Sequence, residues 1–299
     1  MNRTSLSYNG GMAGDGPRSS VIVSIGEILW DIFPDSERLG GAPFNFAVHA
    51  RRLGHPVIFL SAVGDDARGR RARERAAELG LPAEFIQIVP DTPTGTVTVQ
   101  TDTAGQPDFT VHRPAAYDRF QLDPAILQKL AGAHPAWIYF GTLIQTGSAV
   151  HGQTLDLLRE FHSARRIYDV NLRTGCYTPK LVRELRELAD TIKLNEAEAR
   201  EFPDLRLEPG FSAVAITRGA AGCEIRIGSD RAECPGYPVE VADTVGAGDA
   251  FAAAFVHGLD QGWNAATTGD FANRLGALVA SRPGAIPDWS IDQLSVDQL

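Results

Sequence analysis

A chain of 299 residues, 43% hydrophobic and 22% charged, holds one large α/β domain, or one domain with a small appendage, of ordinary globular composition. Its formal net charge of −9 excludes the basic surface that tracks a phosphate backbone, so no nucleic-acid partner is expected. Cys176, Cys223 and Cys234 form no CxxC pair and cannot all pair with one another, and no apolar run approaches the roughly eighteen residues of a membrane span; a reduced, cytoplasmic setting with no membrane partner follows as the expectation.

In chain order, residues 1–20 are rich in Gly, Ser and Asn and lack an apolar core, so they read as a flexible tail and not as a secretory signal. Residues 21–25 read as a buried strand and 43–53 as a helix. A strand at 57–62 and a helix at 68–79 follow. The segment TGTVTVQT (94–101) alternates polar and apolar residues, 102–107 is turn-like, and 108–113 is extended again, which is a hairpin with one wet face. Strands at 137–140, 166–170, 191–194 and 213–217 then alternate with or precede helices at 147–162, 179–189, 249–259 and 264–280. Such alternation predicts a mostly parallel sheet covered by helices on both faces, spanning 21–299. A hairpin does not belong inside that series. It reads as a small sheet standing off the main domain, built from about 27–38 and 94–115, and a candidate lid.

The most informative letters are DTVGAGDAFAAAF (243–255). Gly246, Ala247 and Gly248 feed a helix expected to begin near Asp249, so unpaired backbone N–H groups and the positive end of the helix dipole converge on one point. That point suits a phosphate oxygen. A carboxylate placed there can accept a proton from a hydroxyl held beside the anion. By itself the pattern also fits an N-cap after a tight turn. A dinucleotide fingerprint would need a small residue where Phe251 stands, and no GxxxxGK[ST] occurs anywhere.

Four shorter segments keep it company. In GGAPFNFAVHARRLG (40–54), Pro43 suits a first helical turn and Asn45 lies where its amide can reach a ligand above Gly40 and Gly41. In KLNEAE (193–198), Asn195 and Glu198 share one face of an incipient helix and can hold Mg²⁺ through water, or simply open that helix. TRGAAG (217–222) is a strand end with a glycine turn, and DVNLR (169–173) puts Arg173 at a strand's C-terminal end, where α/β proteins bind ligands.

Together and in this order, DTVGAGDAF, GGAPFN, NEAE and TRGAAG resemble the ribokinase-like (PfkB) carbohydrate kinase family over nearly all of 21–287. The segments GEILWDIFP (26–34), HRPAA (112–116), YFGTLIQ (139–145) and DVNLR are most similar to the fructokinases. The resemblance implies a three-layer α/β/α sandwich with a β-sheet lid, and transfer of a phosphoryl group from ATP, with Mg²⁺, to a sugar. It implies Asp249 as catalytic base and the amides of Gly246, Ala247 and Gly248 as an anion hole. Asp31, Gly41 and Asn45 would bind sugar hydroxyls, with Arg113 and Arg173 facing the sugar or its phosphate. Asn195 and Glu198 would organise Mg²⁺ and phosphate, Thr217, Gly219 and Gly222 would line the ATP site, and Asn273 would sit beside adenine.

In relatives the region of Asp243 and the loop 281–285 holds a monovalent cation, which makes Asp243 a candidate K⁺ site. Here Val245 replaces a common hydroxyl residue of that stretch, and Phe44 is bulkier than usual beside the sugar. A 2-keto-3-deoxygluconate kinase would also use an Arg like Arg173, for a substrate carboxylate. Ribokinase or nucleoside kinase activity, a dehydrogenase and a non-catalytic sugar-binding protein are the remaining alternatives. An exposed lid sheet has edges that a second copy can cover, so a homodimer through the lid is a further expectation.

Overall fold

The computed structural model describes residues 19–101, 107–207 and 210–294. Residues 1–18 of the expected tail and 102–106 of the expected hairpin turn lie outside the described residues.

The chain runs through β1 (Ile22–Ile25), β2 (Leu29–Ile32), β3 (Glu37–Gly40), α1 (Ala42–Arg52), β4 (Val57–Gly64), α2 (Ala67–Glu78) and β5 (Ile86–Val89). It continues with β6 (Gly95–Thr101), β7 (Pro107–His112), α3 (Pro124–Ala133), β8 (Trp137–Gly141), α4 (Ser148–Glu160), β9 (Arg165–Asp169) and α5 (Pro179–Glu187). Then come β10 (Thr191–Asn195), α6 (Glu196–Glu201), α7 (Asp204–Leu207), β11 (Ala213–Thr217), β12 (Cys223–Ile227), β13 (Asp230–Cys234), α8 (Ala247–Gln261) and α9 (Ala265–Ala280).

Nine strands form the main sheet in the order β13-β12-β11-β10-β9-β8-β1-β4-β5, parallel except where β12 pairs with β11 and β13. Its central strands are buried on both sides, and period-two alternation divides them between two cores. Trp137 and Tyr139 of β8 pack with α1, α2, α8 and α9; Ile138 and Phe140 pack with α3, α4, α5 and α6. The expected three layers are therefore present. Ala250, Ala252, Ala253 and Ala254 are fully buried, and a side chain on Gly258 of α8 would meet Thr268 of α9 at 2.7 Å, so the small residues of α8 let its neighbours approach closely.

The four-stranded small sheet runs β3-β2-β6-β7. In β6, Val97 and Val99 are buried while Thr96 and Thr98 are half-buried, as the alternation predicts. It is fastened to the main domain: Glu37 pairs with Arg68 and Arg71 of α2, Arg71 lies over the Trp30 ring, and Trp30 Nε1 donates to the Arg68 carbonyl at 3.2 Å.

Helix α3, the short β5 and the antiparallel β12–β13 pair were not among the expected elements. Helix α3 carries a readable start, because Asp123 accepts the Ile126 N–H at 2.8 Å and Pro124 follows it. The β12 sequence, CEIRI, alternates apolar and polar residues and carries a strand signal, whereas DRAEC of β13 is too polar to read as one; β13 forms the sheet edge, where charge is tolerated.

Candidate active site

The chain leaves β1 for β4 on one side and returns to β8 on the other, so β1 and β8 flank the point at which strand order reverses. Crevices at the C-terminal ends of such strands are where α/β sheets bind ligands. Two helix heads meet there. Helix α1 is entered through Gly41 at φ 112°, where a side chain would strike the Glu27 carbonyl at 2.5 Å. Helix α8 is entered through Gly246 at φ 80° and begins at Ala247, two residues earlier than expected, which makes Asp249 its third residue.

Asn45 in the first turn of α1 donates through Nδ2 to Asp249 Oδ2 at 2.8 Å, across 204 residues of sequence. Its amide donor thus orients the carboxylate, while its oxygen Oδ1 is buried without a partner. The sugar contact expected of Asn45 is left to that oxygen. Asp31 Oδ2 and Asn45 Oδ1 both border the face of Gly40, at 2.9 and 4.0 Å from the place a side chain would start. Asp31, Gly41, Asn45 and Asp249 are therefore brought together at this crevice.

Burial raises the carboxyl pKa of three neighbours: Asp249 and Asp31 to about 6 and Glu27 to about 7. Arg173 opposes the rise at all three, so its exposed guanidinium, bonded only to Asn171 Oδ1 and the Leu172 carbonyl among the described residues, lies within their common field. Replacing Asn45 by Ala is expected to lower kcat by roughly 10²-fold by letting the carboxylate turn away. Loss of the hydrogen bond also moves the acid limb of the pH–rate profile upward, and steady-state kinetics over pH 5–9 check both.

Arg113 follows β7, at the foot of the lid. Its Nε donates to Asp118 Oδ2 at 3.1 Å and its Nη1 to the Leu143 carbonyl at 3.1 Å, with further contacts to Asp118 Oδ1 and Thr146 Oγ1. Those bonds engage four of its five N–H groups and fasten the foot of the lid, leaving one Nη2 hydrogen for the contact expected with the sugar or its phosphate.

Asn195 and Glu198 form a capping box. The Asn195 side chain accepts the Glu198 N–H at 2.9 Å, and Glu198 accepts the N–H groups of Asn195 and Leu172, each at 2.8 Å. Both carboxylate oxygens are engaged and the residue is 5% exposed, which does not fit direct Mg²⁺ ligation. A contact through water is what remains to the pair. Asp243 holds together three pieces: Oδ1 accepts the Val245 N–H at 3.0 Å, and Oδ2 accepts Gly284 N–H at 3.1 Å and Arg38 Nη1 at 2.9 Å. The carboxylate suggested for K⁺ thus clasps the glycine turn, the 281–285 loop and lid strand β3.

Among the residues expected to line ATP, Asn195 and Thr217 are partners across β10 and β11. A side chain on Gly222 would meet the Cys234 carbonyl at 2.0 Å, and Asn273 Nδ2 donates to the Cys234 and Pro235 carbonyls at 3.2 and 3.0 Å. Gly222 and Asn273 therefore gather around one bend, while Gly219 at φ 56° opens onto free space. The α8 turn fits a phosphate: Gly248 meets nothing within 4 Å of its open face except Lys193 Nζ, at 3.3 Å. Ala247 N–H is directed at the Thr244 carbonyl, at a long 3.4 Å.

Three residues at this site were not anticipated. Lys193 Nζ lies 3.0 Å from Asp169 Oδ1, and Tyr139 donates to Asp169 Oδ2 at 3.0 Å, beneath Gly248 and Asp249. The signal was available: a Lys and an Asp inside otherwise apolar central strands need each other.

Known proteins extend this picture. A family model described as pfkB family carbohydrate kinase matches residues 34–292. A Pyrococcus horikoshii protein described as a sugar kinase is 31% identical over 291 residues, covering 90% of this chain and 92% of its own. Its crystal structure in complex with ATP superimposes with a TM-score of 0.78 at 28% identity, covering 91% and 96% of the two chains. A fructokinase of Klebsiella pneumoniae is 31% identical over 258 residues, 79% of this chain and 83% of its own. With a fold that superimposes on that crystal structure and a family model spanning most of its length, this chain belongs to the pfkB family of carbohydrate kinases.

Proposed function

We propose that this kinase transfers the γ-phosphoryl group of ATP to the primary hydroxyl of a sugar, with fructose as the first substrate to test. The observation that carries the reading is the Asp249 carboxylate, held by Asn45 at 2.8 Å, on the first turn of a helix whose glycine-rich entry presents backbone N–H groups.

Asp249 takes the hydroxyl proton as the oxygen attacks, and a pKa raised to about 6 leaves it ionised at neutral pH yet more basic than an ordinary carboxylate. Phosphoryl transfer has little covalent work for a protein to do, so positioning and charge stabilisation dominate. The N–H groups of Gly246 and Gly248 receive charge from the transferring phosphoryl oxygens, joined by that of Ala247 when it exchanges its long bond to the Thr244 carbonyl for the anion. Asp31, Gly41 and the unpartnered Asn45 oxygen hold the sugar; Thr217, Gly219, Gly222 and Asn273 line the nucleotide. Asn195 and Glu198 would hold Mg²⁺ through water, where it would supply positive charge to the phosphates of ATP. Closure of the β3-β2-β6-β7 lid excludes water as a competing acceptor.

Arg173 favours a second reading. An exposed guanidinium facing three carboxyl groups also suits a substrate that brings its own carboxylate, as 2-keto-3-deoxygluconate does. The deciding experiment is ADP release over fructose, ribose, 2-keto-3-deoxygluconate and a nucleoside, with Mg²⁺ and K⁺ each present or omitted. Turnover with fructose well above the others is expected. Turnover confined to the keto acid transfers the assignment to the second reading, and no acceptor-dependent ADP release removes the kinase reading.

Three free cysteines, two of them buried, support a reduced cytoplasmic setting, and among the described residues no helix is long and apolar enough to cross a membrane. Edge strand β7 carries Phe109 at 40% exposure, which supports a second copy as the cover of the lid.

A further inference from the structure

Lys193 and Asp169 are 5% and 0% exposed and face each other in register across β10 and β9. Lys193 Nζ lies 3.0 and 3.3 Å from the two Asp169 oxygens, and Tyr139 of β8 closes the remaining side by donating to Oδ2. An ion pair inside a sheet core commonly contributes no more than well-packed apolar residues would, so stability alone is a weak reason to keep one. Its position supplies a better reason. The ammonium stands 3.3 Å from where a side chain on Gly248 would begin, one residue before Asp249. Both members act on that carboxyl: Asp169 pushes its pKa up and Lys193 draws it down.

We propose that Lys193 and Asp169 are positioning residues that set the charge state of Asp249. The ammonium holds the carboxylate ionised inside the protein, and Asp169, by sharing that ammonium, limits the pull so that the carboxylate can still accept a proton. The catalytic consequence rests on the kinase reading above; the electrostatic claim does not. The other groups facing Asp249 are Arg173 from the loop after β9, Glu27 from the loop after β1, Tyr139 from β8 and the neutral Asn45 from α1. Glu198 of α6 acts on Lys193 in turn.

The test uses the full chain labelled with ¹³C at Asp carboxyl carbons. The Asp249 resonance is assigned by its disappearance in Asp249→Asn and is titrated without substrate. Lys193→Met leaves Asp169 uncompensated and should move the Asp249 titration up by about one pH unit or more. Asp169→Asn leaves the ammonium unshared and should move it down by a similar amount. The double variant, neutral at both positions, should return close to the parent. A pair that serves only packing would destabilise the protein without producing shifts of opposite sign. Shifts of the same sign, or none, overturn the proposal. Should Lys193→Met not fold, the downward movement in Asp169→Asn and its reversal in the double variant make the same decision. An absence of sugar turnover would sink the kinase reading and leave this titration as it stands.

Discussion

Asp249→Asn is expected to lower kcat by roughly 10²–10⁴-fold while leaving the KM for ATP nearly unchanged. The asparagine keeps the shape of the side chain and can still accept the Asn45 hydrogen bond, but it cannot take up a proton. In the proposed reading ATP is held by the backbone N–H groups of the turn and by the Thr217–Gly222 region, which the substitution leaves in place. Because the base works ionised, parent activity should fall as pH drops through about 6, the pKa to which burial raises this carboxyl. The variant should lose that limb.

Stability should move the other way. A folded-state pKa above the ordinary 3.8 means that the folded protein binds the proton more tightly than the unfolded chain. The stabilisation this gives is complete below about pH 3.8 and is lost as pH rises through about 6, so at pH 8 the ionised group costs on the order of 3 kcal/mol. Asp249→Asn should therefore melt a few degrees higher than the parent at pH 8, with the gap narrowing toward pH 4. Scanning calorimetry at both pH values, beside the kinetics, gives the check. Near-parental turnover would remove Asp249 as the base.

The arrangement around Asp249 was only half legible in the sequence. The turn could be read because DTVGAGD packs its information into neighbouring letters: two glycines, a carboxylate and an apolar helix. Its start could be placed only to within a turn, because Ala247 and Gly248 are tolerable either inside a helix or before it; the backbone puts them inside. The bond from Asn45 to Asp249 could not be read, since no local rule connects residues 204 apart. The strand TIKLN points to a buried charge, and RRIYD to a possible partner, but only the register of β9 against β10 makes them a pair. The bonds that hold Arg113 show the same division: Asp118 lies five residues away and is within reach of local reading, whereas the Leu143 carbonyl, 30 residues away, is not.

Gly246→Ala tests the other half of the mechanism. At φ 80° and ψ −12° the backbone there is left-handed, which costs a residue with a side chain about 1–2 kcal/mol. Space is the larger obstacle: the added carbon would lie 2.5 Å from both the Cα and the carbonyl oxygen of Ala285. Backbone atoms cannot swing aside as a side-chain tip can. The 281–285 loop is also tied to the same turn through Asp243, which bonds Val245 and Gly284, so displacing the loop displaces the turn. The anion hole proposed at residues 246–248 would be distorted, and loss of one such donor typically costs roughly 10²–10³-fold in kcat. A drop of that size is expected, together with a weaker KM for ATP and a lower melting temperature. Gly262 at the far end of α8 provides the control. It is left-handed as well, at φ 70°, but a side chain there meets nothing within 4 Å. Gly262→Ala should show the strain in its melting temperature and keep parental kinetics. Equal kinetic losses in the two variants would mean that the turn matters only for folding, and the anion hole would have to be sought elsewhere.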